Sequence, residues 1–308
     1  AYRRQRQMCI RDRGLAAAPR PPAPFVAAVH GPVITLLFAS KPAQHAALAR
    51  IEAFYESSSH ANAYLTQEHA ARERICLGYE AFNFPLDSVV RWLAAMRRTE
   101  PAAQAPPAAS DPWWHPSCTP EERAFLHYLV DTGLLNAEGG ATASAEGAYV
   151  IAALASSAQE ALAHERLHVL YYRSPAYRAL LAELWNELPQ AARGAIELDL
   201  RMRRYRESVW QDELGAYLGI RPAPRGVSQR DPSLEFGNKN AATCREVRAI
   251  LLQRIPQFWH SDVGIDEVEL EVPPDVLAAA KQLPGKPAGI AKLDAKGART
   301  PRKGKGKR

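Results

Sequence analysis

The stretch EALAHERLHVLYY, residues 160–172, decides how this chain is read, because His164 and His168 stand four residues apart with Glu165 between them. If the stretch is helical, residues i and i+4 lie one above the other on one face, and both imidazoles can reach a single metal ion. Glu165 then projects beside that face, where its carboxylate is placed to take a proton from a water that the metal acidifies. The flanks favour a helix. Ser157-Ala158-Gln159-Glu160 reads as a Ser-x-x-Glu capping box at its start. Leu162, Leu167, Val169 and Leu170 supply the apolar positions that would bury it. A buried pair of histidines around a glutamate needs compensation, since uncompensated polar burial is costly, and metal ligation provides it.

A catalytic zinc ion usually takes three protein ligands and keeps one position open. The segment VWQDELGAYL, residues 209–218, offers the third: at helical spacing Glu213 shares a face with Val209, Ala216 and Ile220, an apolar stripe in which an unpaired carboxylate is expensive. Asp212 and Glu207 are the rivals for that role.

HERLH followed by DELGAYL resembles the gluzincin zinc metallopeptidases, whose two-histidine helix is complemented by a later helix carrying Asn/Asp-Glu-x-x-Ala/Ser. The resemblance covers residues 160–220. It implies that His164, His168 and Glu213 hold Zn2+ and that Glu165 is the general base and proton shuttle of a peptidase. The metzincin extension is excluded, because it requires Gly and His where this chain has Tyr171 and Ser174. Two departures stand out. The spacer between His168 and Glu213 is 44 residues, longer than in thermolysin-like enzymes, and a helix at 175–188 would account for it. Those enzymes also carry an aspartate four residues after the ligand glutamate to orient the first histidine; Tyr217 occupies that position here, so another group must do so. Tyr217 is the candidate donor to a developing oxyanion, with Tyr171, Tyr172, Tyr205 and His260 as alternatives of suitable type. In zincins the substrate pairs with an edge strand near the metal helix, and the resemblance assigns that role to 148–155 or 32–40.

The remaining composition bounds the possibilities. The chain has 308 residues and a formal charge of +6. Five Arg and one Asp fall in residues 1–13, and ten Lys/Arg and one Asp fall in 281–308, so residues 14–280 carry a net −7. The high pI therefore belongs to the two ends, and a specific nucleic-acid interface is not expected, since the basic tail lacks interleaved aromatics. No run of about 18 apolar residues exists, so no membrane span is expected. Cys9, Cys76, Cys118 and Cys244 are scattered without C-x-x-C spacing, which favours free thiols and a cytoplasmic setting. The other histidines show no ligand spacing, and DPWWHPSC (111–118) reads as the hydrophobic anchor of a loop.

Residues 1–31 are expected to be an artefactual or disordered leader, its first thirteen resembling translated adapter sequence. An N-terminal α/β region follows over 32–110, with a strand at 32–40 and helices at 43–57 and 86–98. A zincin-like helical catalytic region spans 111–275 and includes a strand at 148–155. Residues 276–308 are expected to be a disordered basic tail. The fold class expected is α+β, helix-dominated, with a small β-sheet beside the metal-binding helix. The function expected is zinc-dependent hydrolysis of an amide bond in a peptide or protein. A non-catalytic helical interaction protein, with a structural or degenerate metal site and a basic contact tail, is the alternative. Oligomeric state is not readable from the sequence.

Overall fold

The computed structural model describes residues 22–104, 111–222 and 230–284. In chain order the main elements are β1 (Phe25–His30), β2 (Val33–Phe38), α1 (Lys41–Glu56), α2 (Gln67–Glu73), β3 (Ala81–Pro85), α3 (Leu86–Thr99), α4 (Pro101–Gln104), α5 (Pro120–Asp131) and β4 (Tyr149–Leu154). There follow α6 (Ala158–Arg173), α7 (Pro175–Glu187), α8 (Gln190–Met202), α9 (Trp210–Leu218), α10 (Ala241–Phe258) and α11 (Pro274–Lys281). This is a helix-dominated α+β fold around one four-stranded mixed sheet of order β1-β2-β4-β3. The β2–β4 pair is parallel, and both flanking pairs are antiparallel.

Alternation along the strands sorts the core into two halves, because successive side chains point to opposite faces. Ile34, Leu36, Phe38, Phe82, Phe84, Val150 and Ala152 pack with α1, α3 and α5. Val33, Leu37, Tyr149, Ile151 and Ala153 face the other way, toward α6, α7, α9 and α10. With both faces covered, every residue of β2 is buried, which explains its uninterrupted apolar run. By the same alternation Asn83, between Phe82 and Phe84, points to the α6 side. Residues 32–110 and 111–275 thus contribute to one sheet, with β4 lying between β2 and β3.

Several sequence expectations need correction. Residues 25–30, read as part of the leader, form β1; Phe25, Val26 and Val29 outweigh the surrounding Ala and Pro once β2 pairs with them across a tight turn at Gly31. Gly31 has φ +55, a left-handed conformation that glycine adopts without strain. The strand β3 was not anticipated, because AFNFP is short and carries an Asn and a Pro. Both suit the position it occupies at the sheet edge. Ser157 precedes α6 as expected, but its side chain makes no capping bond. The helix α3 begins after Pro85, also without a side-chain capping bond. The capping box does form at α5, between Thr119 and Glu122, and Ser174 caps α7 ahead of Pro175. The proline-free stretch 190–220 holds two helices, α8 and α9. Trp113 and Trp114 are buried, in keeping with an anchored loop. Residues 276–281, read as the start of the disordered tail, belong to the helix α11, whose Ala280 is buried; the leader through residue 21, Cys9, the connection at 105–110 and the tail from 285 lie outside the described residues. Among the described residues no helix is long and apolar enough to cross a membrane.

Candidate metal centre

β4 runs into α6 through a tight turn, so the central strand of the sheet aims the helix that carries HERLH. Leu162, Leu167, Val169 and Leu170 are buried as the pattern requires, which turns His164 and His168 toward α9. That helix comes close because α7 and α9 meet at Gly215. A Cβ there would lie 2.6 Å from Leu181 Cδ1 and 2.7 Å from the Tyr177 hydroxyl, so any larger residue would have to displace those side chains or α9 itself, and Glu213 with it.

The result is a three-residue cluster. His164, His168 and Glu213 each offer one ligand atom, and these atoms lie within 4.8 Å of one another. Nε2 of His168 is 3.1 Å from Nε2 of His164. Glu213 Oε2 is 3.7 Å from His164 Nε2, and its Oε1 is 3.8 Å from His168 Nε2. Tetrahedral zinc with bonds of about 2.0–2.1 Å separates its ligand atoms by about 3.3 Å; the two histidine nitrogens are close to that spacing, and Glu213, whose two oxygens face different histidines, would complete the set by adjusting its side chain. Glu213 is 3% exposed, and its Oε2 is buried with no hydrogen-bond donor, an arrangement that a cation would relieve.

The electrostatics point the same way. Burial lowers the pKa of His164 well below its ordinary value, and His168 and Arg203 add to the effect, so its imidazole is neutral with a lone pair available for a metal. Burial alone would also lower His168, but Asp212, Glu213 and Glu165 outweigh it and raise that pKa well above the ordinary value. Without a metal, a proton on His168 supplies the positive charge that the surrounding carboxylates demand. Burial raises Glu213 to about 8.

Asp212, the rival for third ligand, has a different place. Its Oδ1 sits 2.9 Å from Nδ1 of His168, which directs that ring's Nε2 toward His164 and Glu213. It therefore orients the second histidine, whereas the aspartate that Tyr217 replaces was expected to orient the first, His164. Glu207 is excluded: its side chain is 77% exposed and pairs with Arg201 away from the cluster. We expect Asp212→Asn to weaken zinc binding by about 10–100-fold while leaving the three ligands in place. A competition titration against a chelator measures this, and an unchanged affinity would show that Asp212 does not orient the ring.

Glu165 is 8% exposed and is fixed by a chain of hydrogen bonds that sequence reading missed. The Tyr149 hydroxyl donates to Asn83 Oδ1 at 2.6 Å, and Asn83 Nδ2 donates to Glu165 Oε2 at 2.8 Å. Because Asn83 Oδ1 accepts from Tyr149, its Nδ2 is the atom presented to the carboxylate. Burial pushes the Glu165 pKa up to about 7, against the lowering effect of His168 and Asn83. A carboxyl poised there can accept a proton at neutral pH and return it.

The cluster opens into a cleft of about 490 Å3 whose walls include Glu165, Tyr205, Tyr217, Asn83, Glu52 and Glu56. Tyr217 packs its ring 4.6 Å from that of His164, and its hydroxyl is 3.1 Å from that of Tyr205. Tyr171 and Tyr172 do not line the cleft, and the His260 side chain is 80% exposed, beside Asp266. Arg166, inside the HERLH motif, donates to the backbone oxygen of Leu270. The strands first considered as edges, β2 and β4, are interior. The edge beside α6 is β3. Cys76, Cys118 and Cys244 are free thiols. No family model, curated protein or solved structure matches this chain.

Proposed function

We propose that the chain is a zinc-dependent hydrolase that cleaves an amide bond in a peptide, as its resemblance to the gluzincin metallopeptidases implies. The observation that carries this reading is the placement of Glu165. It lines the same cleft as His164, His168 and Glu213, yet belongs to none of the contacts that would hold a metal, and Asn83 keeps its carboxylate in place. A buried carboxyl with a raised pKa, held apart from the metal ligands beside an open cleft, is the arrangement a general base requires.

His164, His168 and Glu213 would hold the ion, which when bound supplies Lewis acidity to a water molecule and to the substrate carbonyl. Glu165 accepts the proton released as water attacks and delivers it to the leaving amine. Asn83 limits the rotation of Glu165, so one carboxylate oxygen stays occupied and the other is free for the proton. Tyr217, backed by Tyr205, presents a hydroxyl beside His164 for an oxygen that gains negative charge. The four roles fall on α6, α9 and β3, rigid elements that need little reorganisation during reaction.

The test is incubation of zinc-loaded protein with a mixture of synthetic peptides, followed by mass spectrometry of new termini. Chelator-sensitive cleavage is expected. Absence of cleavage by a zinc-loaded, folded protein across free and blocked peptides of varied sequence would contradict the reading.

A further inference from the structure

A separate wall of the cleft is formed by Glu52 and Glu56, one turn apart on α1. Glu52 is 1% exposed. Its Oε2 accepts from the backbone N–H of Asn83 at 3.1 Å, and its Oε1 is buried with no donor. The Glu56 carboxyl lies against it, and Glu165 adds further negative charge nearby. Two carboxyls in contact are satisfied only by a shared proton or by a cation from outside. His168 and Arg206 are the positive groups acting on Glu56, while Asp212 opposes them. Arg206 Nε makes no hydrogen bond.

The edge strand supplies the second half of the argument. Leu86 N–H bonds inward to Ala148, and the β3–β4 register turns the N–H groups of Ala81 and Asn83 outward, toward the free edge. Asn83's outward N–H is already taken by Glu52, and Pro85, the next outward position, has none. An extended peptide laid along β3 therefore finds backbone donors only as far as Ala81. Beyond that point the edge is closed and carries carboxylates. The same Asn83 binds Glu52 through its backbone and Glu165 through its side chain, so a single residue links the acidic pair to the general base.

We propose that Glu52 and Glu56 form a recognition site for a primary ammonium group of the substrate, that of a free N-terminal residue, so that the cleft takes peptides by their amino end. An ammonium brings three donors and one positive charge to two oxygen-only groups. An α-amine lies two bonds from the carbonyl carbon of its own residue, so an amine held by the acidic pair keeps that carbonyl within the cleft that Glu165 also lines. A lysine side chain carries the same chemistry on a longer stem. The proposal rests on the hydrolase reading, and its test separates the two.

The experiment is isothermal calorimetry on the zinc-loaded full chain with hydroxamates, whose metal-binding group is common to all the probes. Leucine hydroxamate is expected to bind about tenfold or more tightly than N-acetyl-leucine hydroxamate, as loss of a charge-assisted hydrogen bond implies. That ratio is expected to fall toward one in both Glu52→Gln and Glu56→Gln. Glutamine at 52 keeps an oxygen for Asn83, and position 56 is only half-buried, so the second variant carries the test if the first does not fold. Equal binding of the two leucine probes in the parent would overturn the α-amine assignment. A preference for N-acetyl-lysine over N-acetyl-norleucine hydroxamate would instead assign the ammonium to a side chain, and no preference in either pair would remove the site. If no hydroxamate binds at all, the metal-centre reading fails first, and this proposal falls with it.

Discussion

Glu165→Gln is expected to retain the metal and to lower turnover by about 10²- to 10⁴-fold, the range typical of losing a positioned general base. Glutamine has the same shape and keeps an oxygen for Asn83 Nδ2, so the hydrogen-bonded chain from Tyr149 survives. It cannot take a proton. The parent's activity should rise with pH as Glu165 ionises, with an acid limb at or below its metal-free value of about 7, since a bound cation favours the charged carboxylate. The limb should vanish in the variant. Steady-state kinetics across pH 5–8, with metal content measured on the same samples, checks both statements. A variant that retains parental turnover would show that the proton goes elsewhere.

Zinc is expected to raise the unfolding temperature, and to raise it more at pH 8 than at pH 6. In the metal-free protein Glu165 and Glu213 hold their protons to about 7 and about 8, whereas the unfolded chain releases them near the ordinary value of 4.5. At these two groups the folded state thus binds more protons than the unfolded state between pH 4.5 and 8, so their contribution to stability falls as pH rises through this window, while His164, lowered, acts with the opposite sign below its ordinary 6.5. His168, raised above its ordinary 6.5, acts with the same sign as the two carboxyls above that pH. Zinc displaces these protons and substitutes its own charge, so its contribution grows where the protons are scarce. At a free concentration of 1,000 times Kd the gain is about 4 kcal/mol, or roughly 5–10 °C for a chain of this size. His164→Ala should abolish the zinc-dependent increment. A shift that is the same with and without His164 would place the stabilising ion outside the cluster.

What the sequence disclosed and what it withheld follow from the range over which each signal acts. His164 and His168 lie within one turn of a helix, so their meeting is a local matter of spacing. Glu213 was accessible because its apolar neighbours marked a face on which a carboxylate is out of place. The orienting role of Asp212 was hidden, since either member of the Asp212-Glu213 pair can turn toward the histidines until the packing of Gly215 on α7 fixes the rotation of α9. Asn83, Tyr149 and Glu52 come from three different elements brought together by sheet order, and no spacing rule links them. A polar Asn between two Phe in a short apolar run was the one available sign. The strand β1 was lost for a related reason, because its pairing with β2 depends on a turn at Gly31 and not on its own Ala-rich composition.

The most direct test of the metal centre is elemental mass spectrometry on untagged protein, compared with His164→Ala and Glu213→Ala. About one zinc per chain is expected in the parent, with less than about a tenth of that in each variant at the same free zinc concentration, since losing one of three ligands costs well over tenfold in affinity. A folded parent that holds no metal after zinc is supplied, or variants that bind as much as the parent, would contradict the account.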